Sequence, residues 1–114
     1  MDEALLRARL AAEGLEASSW GNAPFDHYSE HRHPYDKVLV AAAGSITFHL
    51  PELGRDVALE AGDRLELPTG TLHGADVGAR GVTCLEAHLA AGTLEGAPER
   101  VPGWGEVADE VAGE

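Results

Sequence analysis

Two histidines placed one residue apart, with a third further along the chain, have the residue types of a metal site. His31 and His33 flank a single arginine, and His73 follows the turn-forming stretch 68–70. Side chains at positions i and i+2 of a strand project from the same face, roughly 7 Å apart, so two imidazoles can converge on one ion. Neutral imidazole favours transition metals over Mg²⁺ or Ca²⁺. The pair therefore predicts a divalent transition-metal site, with His73 as a third candidate ligand.

Short strands must position these side chains. Alternating or β-branched apolar runs, separated by glycine or proline, predict strands over 15–20, 28–33, 37–42, 46–50, 56–59, 64–67 and 82–89. Many short strands at this spacing indicate an all-β sandwich or closed barrel. An amphipathic helix over residues 2–13 precedes them, with Asp2 as its N-cap, Leu6 and Leu10 on one face, and Gly14 as its stop.

The histidine pair opens a pattern that resembles the first motif of the cupin superfamily, Gly-x5-His-x-His-x3–4-Glu-x6-Gly. Here His31 and His33 are followed after three residues by Lys37 and after six more by Gly44. Two features depart from the motif. Its opening glycine is absent at the expected spacing, and Lys37 replaces its glutamate.

The stretch that leads to the third histidine resembles the second cupin motif, Gly-x5-Pro-x-Gly-x2-His-x3-Asn. Gly62, Pro68, Gly70 and His73 stand at those spacings, whereas Val77 replaces the final asparagine. The resemblance covers roughly residues 28–89. We therefore expect a small single-domain cupin.

This resemblance implies a double-stranded β-helix, or jelly-roll barrel, with a divalent metal near one mouth. It implies His31, His33 and His73 as the ligands, and a metal that is Zn, Fe, Ni, Co, Mn or Cu. Three-histidine members of the superfamily include thiol and diketone dioxygenases. Other cupins bind small molecules without turnover, and degenerate ones bind no metal.

Lys37, the only lysine of the chain, is a candidate catalytic residue. A unit charge about 5 Å from a divalent ion is repelled by roughly 6–7 kcal/mol at an effective dielectric constant of 20. Four responses stay open. Lys37 could turn away, lose its proton, pair with a carboxylate such as Glu86, or bind an oxyanion of the substrate.

Other side chains near the motifs are secondary candidates. Tyr35 shares the face of the histidine pair and could donate a hydrogen bond to a substrate. Glu86 and His88 share one face of the last predicted strand. If that face points inward, either could be an extra metal ligand, and if it points outward both belong to the surface. We expect Asp36 to point outward.

Composition excludes several classes of partner. The 114 residues carry a formal net charge of −12, which repels nucleic-acid phosphates and anionic membrane surfaces. The single cysteine, Cys84, cannot form an intrachain disulfide, and no apolar run has the length of a signal-peptide core. We expect a soluble cytoplasmic protein that binds a small molecule.

The chain divides into three predicted parts. Residues 1–27 form the N-terminal helix and a lead-in strand, residues 28–89 form the cupin barrel, and residues 90–114 form an acidic Gly/Pro-rich tail that is partly ordered. Trp104 is the one large anchor of the tail and could dock on the barrel or on a second subunit. We therefore expect a homodimer. The predicted function is a metal-dependent dioxygenase or isomerase acting on a small anionic molecule, or alternatively a non-catalytic sensor, possibly without metal.

Overall fold

The computed structural model of the chain describes residues 1–106. The final part of the predicted tail, residues 107–114, lies outside these described residues, and the division into three parts stays a prediction. No helix among the described residues is long and apolar enough to cross a membrane. The elements are α1 (Glu3–Ala12), β1 (Ser18–Asn22), β2 (His27–His31), β3 (Asp36–Leu50), a 3₁₀ turn (Pro51–Leu53), β4 (Arg55–Glu60), β5 (Arg64–Leu67), β6 (His73–Leu89) and β7 (Glu99–Val101).

The N-terminal helix agrees with its sequence signals to within a residue. The Asp2 carboxylate accepts hydrogen bonds from the backbone N–H groups of Ala4 and Leu5, which satisfies two of the free donors at the start of α1. Leu6 and Leu10 are completely buried. Gly14 follows the last turn with a φ of +79°, a conformation that glycine adopts without strain. The prediction for residues 2–13 is confirmed.

The barrel is built around two long antiparallel strands. β3 and β6 pair from Asp36 opposite Leu89 to His49 opposite Gly74. One half of this ladder is flanked by β5 and β1, and the other half by β4 and β2. Two sheets therefore share the same pair of strands, which is the arrangement of a jelly roll. The predicted all-β double-stranded β-helix is confirmed.

A bend at Gly44 lets the long strands cross from one sheet to the other. The sequence predicts a turn here between two strands, but the structure has one continuous strand, β3, with pairing irregularities on either side of the bend. Gly44 has a φ of +72°, and a Cβ atom at this position would lie 2.0 Å from the carbonyl oxygen of Gly81 on β6. Only glycine fits so close a backbone approach, so it bends the strand instead of ending it.

Apolar side chains pack on both faces of the first half of β3. Alternate residues such as Leu39 and Ala41 point into the barrel, while Val38 and Val40 lie under α1. Trp104 packs against this second cluster, so it docks on the helix side of its own barrel. Residues from both ends of the β3–β6 ladder surround the barrel mouth, where the candidate site lies.

Candidate metal centre

The three predicted ligands meet at the barrel mouth. His31, at the end of β2, pairs with His73, at the start of β6, and His33 follows two residues later. The ring centroids lie 4.5 Å apart for His31 and His73, 4.7 Å for His31 and His33, and 5.3 Å for His33 and His73. One ligand nitrogen from each ring lies within 4.8 Å of the other two. These three imidazoles could hold one metal ion, and their assignment as ligands stays a prediction.

Backbone carbonyl groups orient two of these imidazoles as metal ligands require. His31 Nδ1 lies 2.7 Å from the carbonyl oxygen of Ser29, and His73 Nδ1 lies 2.9 Å from that of Thr71. A carbonyl oxygen can only accept a hydrogen bond, so each Nδ1 carries the proton. In the neutral ring the lone pair then resides on Nε2, where a metal can take it. The donor set therefore fits a transition metal.

The surroundings of the cluster favour neutral imidazole. Burial lowers the pKa of His73, which is 3% exposed, below its ordinary value, and the neighbouring His31 and Lys37 lower it further. Burial, the Lys37 ammonium and the other two imidazoles lower the pKa of His33 to about 4. Both rings are therefore uncharged at neutral pH, in the form that binds metals.

Hydrogen bonds connect the loop that precedes His73 to the segment that carries His31 and His33. The backbone N–H of Gly70 donates to the carbonyl oxygen of His33 at 3.0 Å. The Arg32 guanidinium donates to the Gly70 carbonyl at 2.9 Å and to both carboxylate oxygens of Glu52 at 2.7 and 2.8 Å. Two distant segments of the chain are thus held side by side, which fixes the spacing of the three imidazoles.

Asp36 also holds this loop in place, and it does so from inside the protein. The prediction that Asp36 points outward is therefore wrong. Asp36 is completely buried. One carboxylate oxygen accepts from the backbone N–H and the hydroxyl of Thr69 at 2.7 and 2.5 Å, and the other accepts from the backbone N–H of Leu94 at 2.6 Å. The bond from Leu94 and those from Thr69 lower the Asp36 pKa to about 2. A carboxylate can be buried here because these donors replace water.

Lys37 and Glu86 form an ion pair inside the mouth. Lys37 Nζ lies 3.2 Å from Glu86 Oε1 and 3.4 Å from His33 Nε2, and the Lys37 and Glu86 side chains are 10% and 14% exposed. Of the four responses considered for Lys37, the structure contains the pairing with a carboxylate. The face that carries Glu86 points inward.

The Glu86 carboxylate has two further donors. Trp20 Nε1 donates to Oε1 at 3.1 Å, and His88 Nε2 lies 2.6 Å from Oε2. Burial alone would raise the Glu86 pKa, but the His88 contact and the Lys37 ammonium outweigh it, so the pKa falls below its ordinary value. Local patterns did not indicate that Trp20 reaches the site, because it arrives through the long-range pairing of β1 with β6.

Tyr35 joins the cluster to the rim of the mouth. Its ring stacks on His33 at a centroid distance of 5.0 Å and on His88 at 4.1 Å, both at 25°. The group of converging ligand atoms among the described residues consists of the three histidines and includes neither Glu86 nor His88. The role of either residue as an extra ligand stays a prediction.

These residues line one cavity of about 260 Å³. Its polar side is formed by the histidines, Tyr35 and the ion pair. Its apolar side is formed by Leu39, Ile46, Phe48 and Ala75. A cavity of this size and mixed lining suits a small molecule with a polar end and an apolar end.

The chain resembles two curated dioxygenases over part of their length. It is 38% identical over 80 residues to the acireductone dioxygenase of Frankia alni, an alignment that covers 68% of this chain and 38% of that protein. It is 46% identical over 54 residues to acireductone dioxygenase 2 of Nocardia farcinica, covering 45% of this chain and 28% of that protein. The chain thus aligns with well under half the length of either relative. No protein-family model matches it.

A solved structure agrees in fold. A cupin superfamily protein from Desulfitobacterium hafniense superimposes with a TM-score of 0.58 at 18% identity, covering 67% of each chain. This agreement matches the jelly-roll topology and the two sequence motifs. The converging histidines and the dioxygenase relatives support a metal-binding protein of this kind. The chain therefore has the jelly-roll fold of cupin proteins.

Proposed function

We propose that this cupin uses His31, His33 and His73 to bind a divalent transition metal and uses Lys37 to bind the oxyanion of a small substrate. The observation that carries the proposal is the ion pair of Lys37 with Glu86, which shares one cavity with the three imidazoles. The site would thus combine a metal, a cation and an apolar wall. Such a combination recognises a small carboxylate or enolate that also has an apolar part.

The charge balance of the site favours an anion. Three neutral imidazoles leave both charges of a divalent metal uncompensated, and Lys37 and Glu86 neutralise each other. A cupin with glutamate at the position of Lys37 would be two charge units more negative. The chain as a whole is acidic, at −12, and repels anions at long range. Attraction must therefore come from the site itself, within a few ångströms.

The residues around the metal have separate tasks. The bound metal would supply Lewis-acid or redox chemistry at open coordination positions. Lys37 would hold the substrate oxyanion, and Tyr35, at the rim, could donate a hydrogen bond to it. Phe48 and Ile46 would exclude water from the apolar end of the substrate. These contacts orient the substrate without any change in the fold of the barrel.

The reaction we propose is an oxygen-dependent cleavage or an isomerisation. The dioxygenase relatives make an acireductone the first substrate to test. A second candidate function is binding without turnover, as in a sensor or carrier. That alternative is favoured by Lys37, because an ammonium group stands where the superfamily motif has an anionic residue.

The deciding experiment uses protein purified without a histidine tag. We expect about one equivalent of transition metal per chain after reloading, and we expect His73→Gln to lose it. His49→Gln is the matched control, since His49 lies outside the cavity. Oxygen uptake with an acireductone, with products identified by mass spectrometry, separates turnover from binding. Less than about a tenth of an equivalent of metal, even after reloading, would overturn the proposal.

A further inference from the structure

We propose that Lys37 couples the metal to the anion, so that each binds more tightly when the other is present. The inference rests on the proposed function and adds a regulatory property to the same site. It arises from one shared atom, the Nε2 nitrogen of His33. Both the lysine and a metal would need the lone pair on this atom.

The lysine engages the only lone pair that neutral His33 has. An ammonium group has three N–H donors and no acceptor, so at 3.4 Å from Lys37 Nζ the His33 Nε2 atom must accept the hydrogen bond. The proton of the neutral ring then resides on Nδ1. A metal that binds this tautomer takes the same lone pair and displaces Lys37. Metal binding by His33 and the contact of His33 with Lys37 therefore exclude each other.

A displaced Lys37 has few protein acceptors. Its side chain is only 10% exposed, so water replaces a lost hydrogen bond poorly. Glu86 is its remaining partner, and that carboxylate is already shared with Trp20 and His88. The ammonium would also face a divalent cation. A substrate oxyanion in the cavity corrects both problems, because it accepts from Lys37 and offsets the metal charge.

The coupling must act in both directions. If an anion raises the affinity for the metal by a given factor, the metal raises the affinity for the anion by the same factor. Linked sites of this kind typically show factors of about 5–150. Because the coupling depends on the Lys37 ammonium group, a neutral side chain of similar length at this position should abolish it.

Isothermal titration calorimetry tests the coupling without any turnover. Co²⁺ is titrated into tag-free, metal-free protein with and without acetate, at an ionic strength held constant with perchlorate. We expect acetate to tighten Co²⁺ binding at least about fivefold. Lys37→Met should bind Co²⁺ more tightly than the wild type in the absence of acetate and show no acetate effect. Arg80→Met, which removes an exposed cation outside the cavity, should behave like the wild type.

The outcomes separate this inference from the proposed function. Equal Co²⁺ affinities with and without acetate in the wild type would overturn the coupling while leaving the metal site standing. An acetate effect that persists in Lys37→Met would also overturn it, because the anion would then bind elsewhere. Absence of Co²⁺ binding under every condition would overturn the proposed function itself. If Lys37→Met does not fold, Lys37→Gln replaces it. The comparison of wild-type Co²⁺ affinity with and without acetate needs no variant and still tests the coupling.

Discussion

At the scale of single residues, the site depends on how buried charges are compensated. An ammonium or carboxylate group in a largely apolar cavity is unstable unless it is paired and hydrogen-bonded. Glu86 is the counter-ion of Lys37, and the Glu86 carboxylate contacts Lys37, Trp20 and His88. The pair leaves no net charge in the mouth, and burial keeps the pKa values of His33 and His73 below the ordinary value. Removal of one member of the ion pair should therefore lower the free energy of unfolding more than removal of both.

The change Glu86→Gln tests this balance. It keeps the shape of the side chain but leaves the Lys37 ammonium without its counter-ion, so we expect a loss of about 1–3 kcal/mol in the free energy of unfolding. The double variant with Lys37→Met should recover most of that loss. Urea denaturation of the metal-free proteins measures both. Glu99→Gln, on the exposed face of β7, is the control and should change little. A double variant less stable than Glu86→Gln would contradict the interpretation.

At the scale of elements, local patterns predicted most of the strand segments, but they predicted neither β7 nor how far the strands extend. Alternation along 46–50 and 64–67 indicated strands correctly, since each has one face in the barrel. The pattern could not show that β3 continues through Gly44, because a glycine with positive φ serves both a turn and a bend. It also could not show that Asp36 is buried, because its donors come from residues 69 and 94, far along the chain.

The candidate site was predictable to a similar degree. His31, His33 and His73 stood out because motif spacing is a local property of the sequence. The inward direction of Glu86 was one of two open alternatives, since a strand face becomes inner or outer only once the sheet closes. Trp20 was missed as a site residue, because nothing in its own segment indicates that β1 pairs with the end of β6.

A row of ionisable side chains crosses the four strands β4, β3, β6 and β2 outside the cavity. His49 Nδ1 lies 2.8 Å from Asp56, His49 Nε2 lies 2.6 Å from Asp76, and Asp76 also lies 2.8 Å from His27. The hydrogen bonds to Asp56 and then to Asp76 raise the His49 pKa above its ordinary value of 6.5. The contacts of the His49 imidazole with Asp56 and Asp76 thus tie three strands together.

This row predicts a pH dependence of stability. The folded-state pKa of His49 is raised, so its contribution is fully present below the unfolded-state pKa of about 6.5 and is lost as the pH rises through the folded-state pKa. The stability difference between the wild type and His49→Gln should therefore shrink as the pH rises above about 6.5. Urea denaturation at stepped pH, with a chelator present, measures the difference. A gap that is constant or grows with pH would contradict the assignment.

At the scale of the whole molecule, the segment after β6 packs against both the barrel and the helix and so connects them. β7 pairs with β5, and the backbone N–H groups of Gly103 and Gly105 donate to Asp63 and to the carbonyl of Gly62, both at 2.9 Å. Trp104 lies between these two bonds and packs on the cluster beneath α1. The helix and the C-terminal segment thus stabilise each other through the Trp104 ring. This contact lies within one chain, and the homodimer stays a prediction.

Two arginines hold that ring and give the final prediction. The guanidinium carbons of Arg9 and Arg64 lie 5.6 and 5.1 Å from the Trp104 ring centroid, within cation–π range. Fully buried tryptophan costs about 3–5 kcal/mol on truncation to alanine, and this ring is only half-buried, so we expect Trp104→Ala to lose about 2–3 kcal/mol. Trp104→Phe keeps an aromatic face and should recover more than half. Urea denaturation followed by circular dichroism measures both losses. Light scattering should find an unchanged mass, because the contacts lie within one chain. A loss below about 0.5 kcal/mol, within the range of ordinary surface substitutions, would mean that the ring does not anchor the segment.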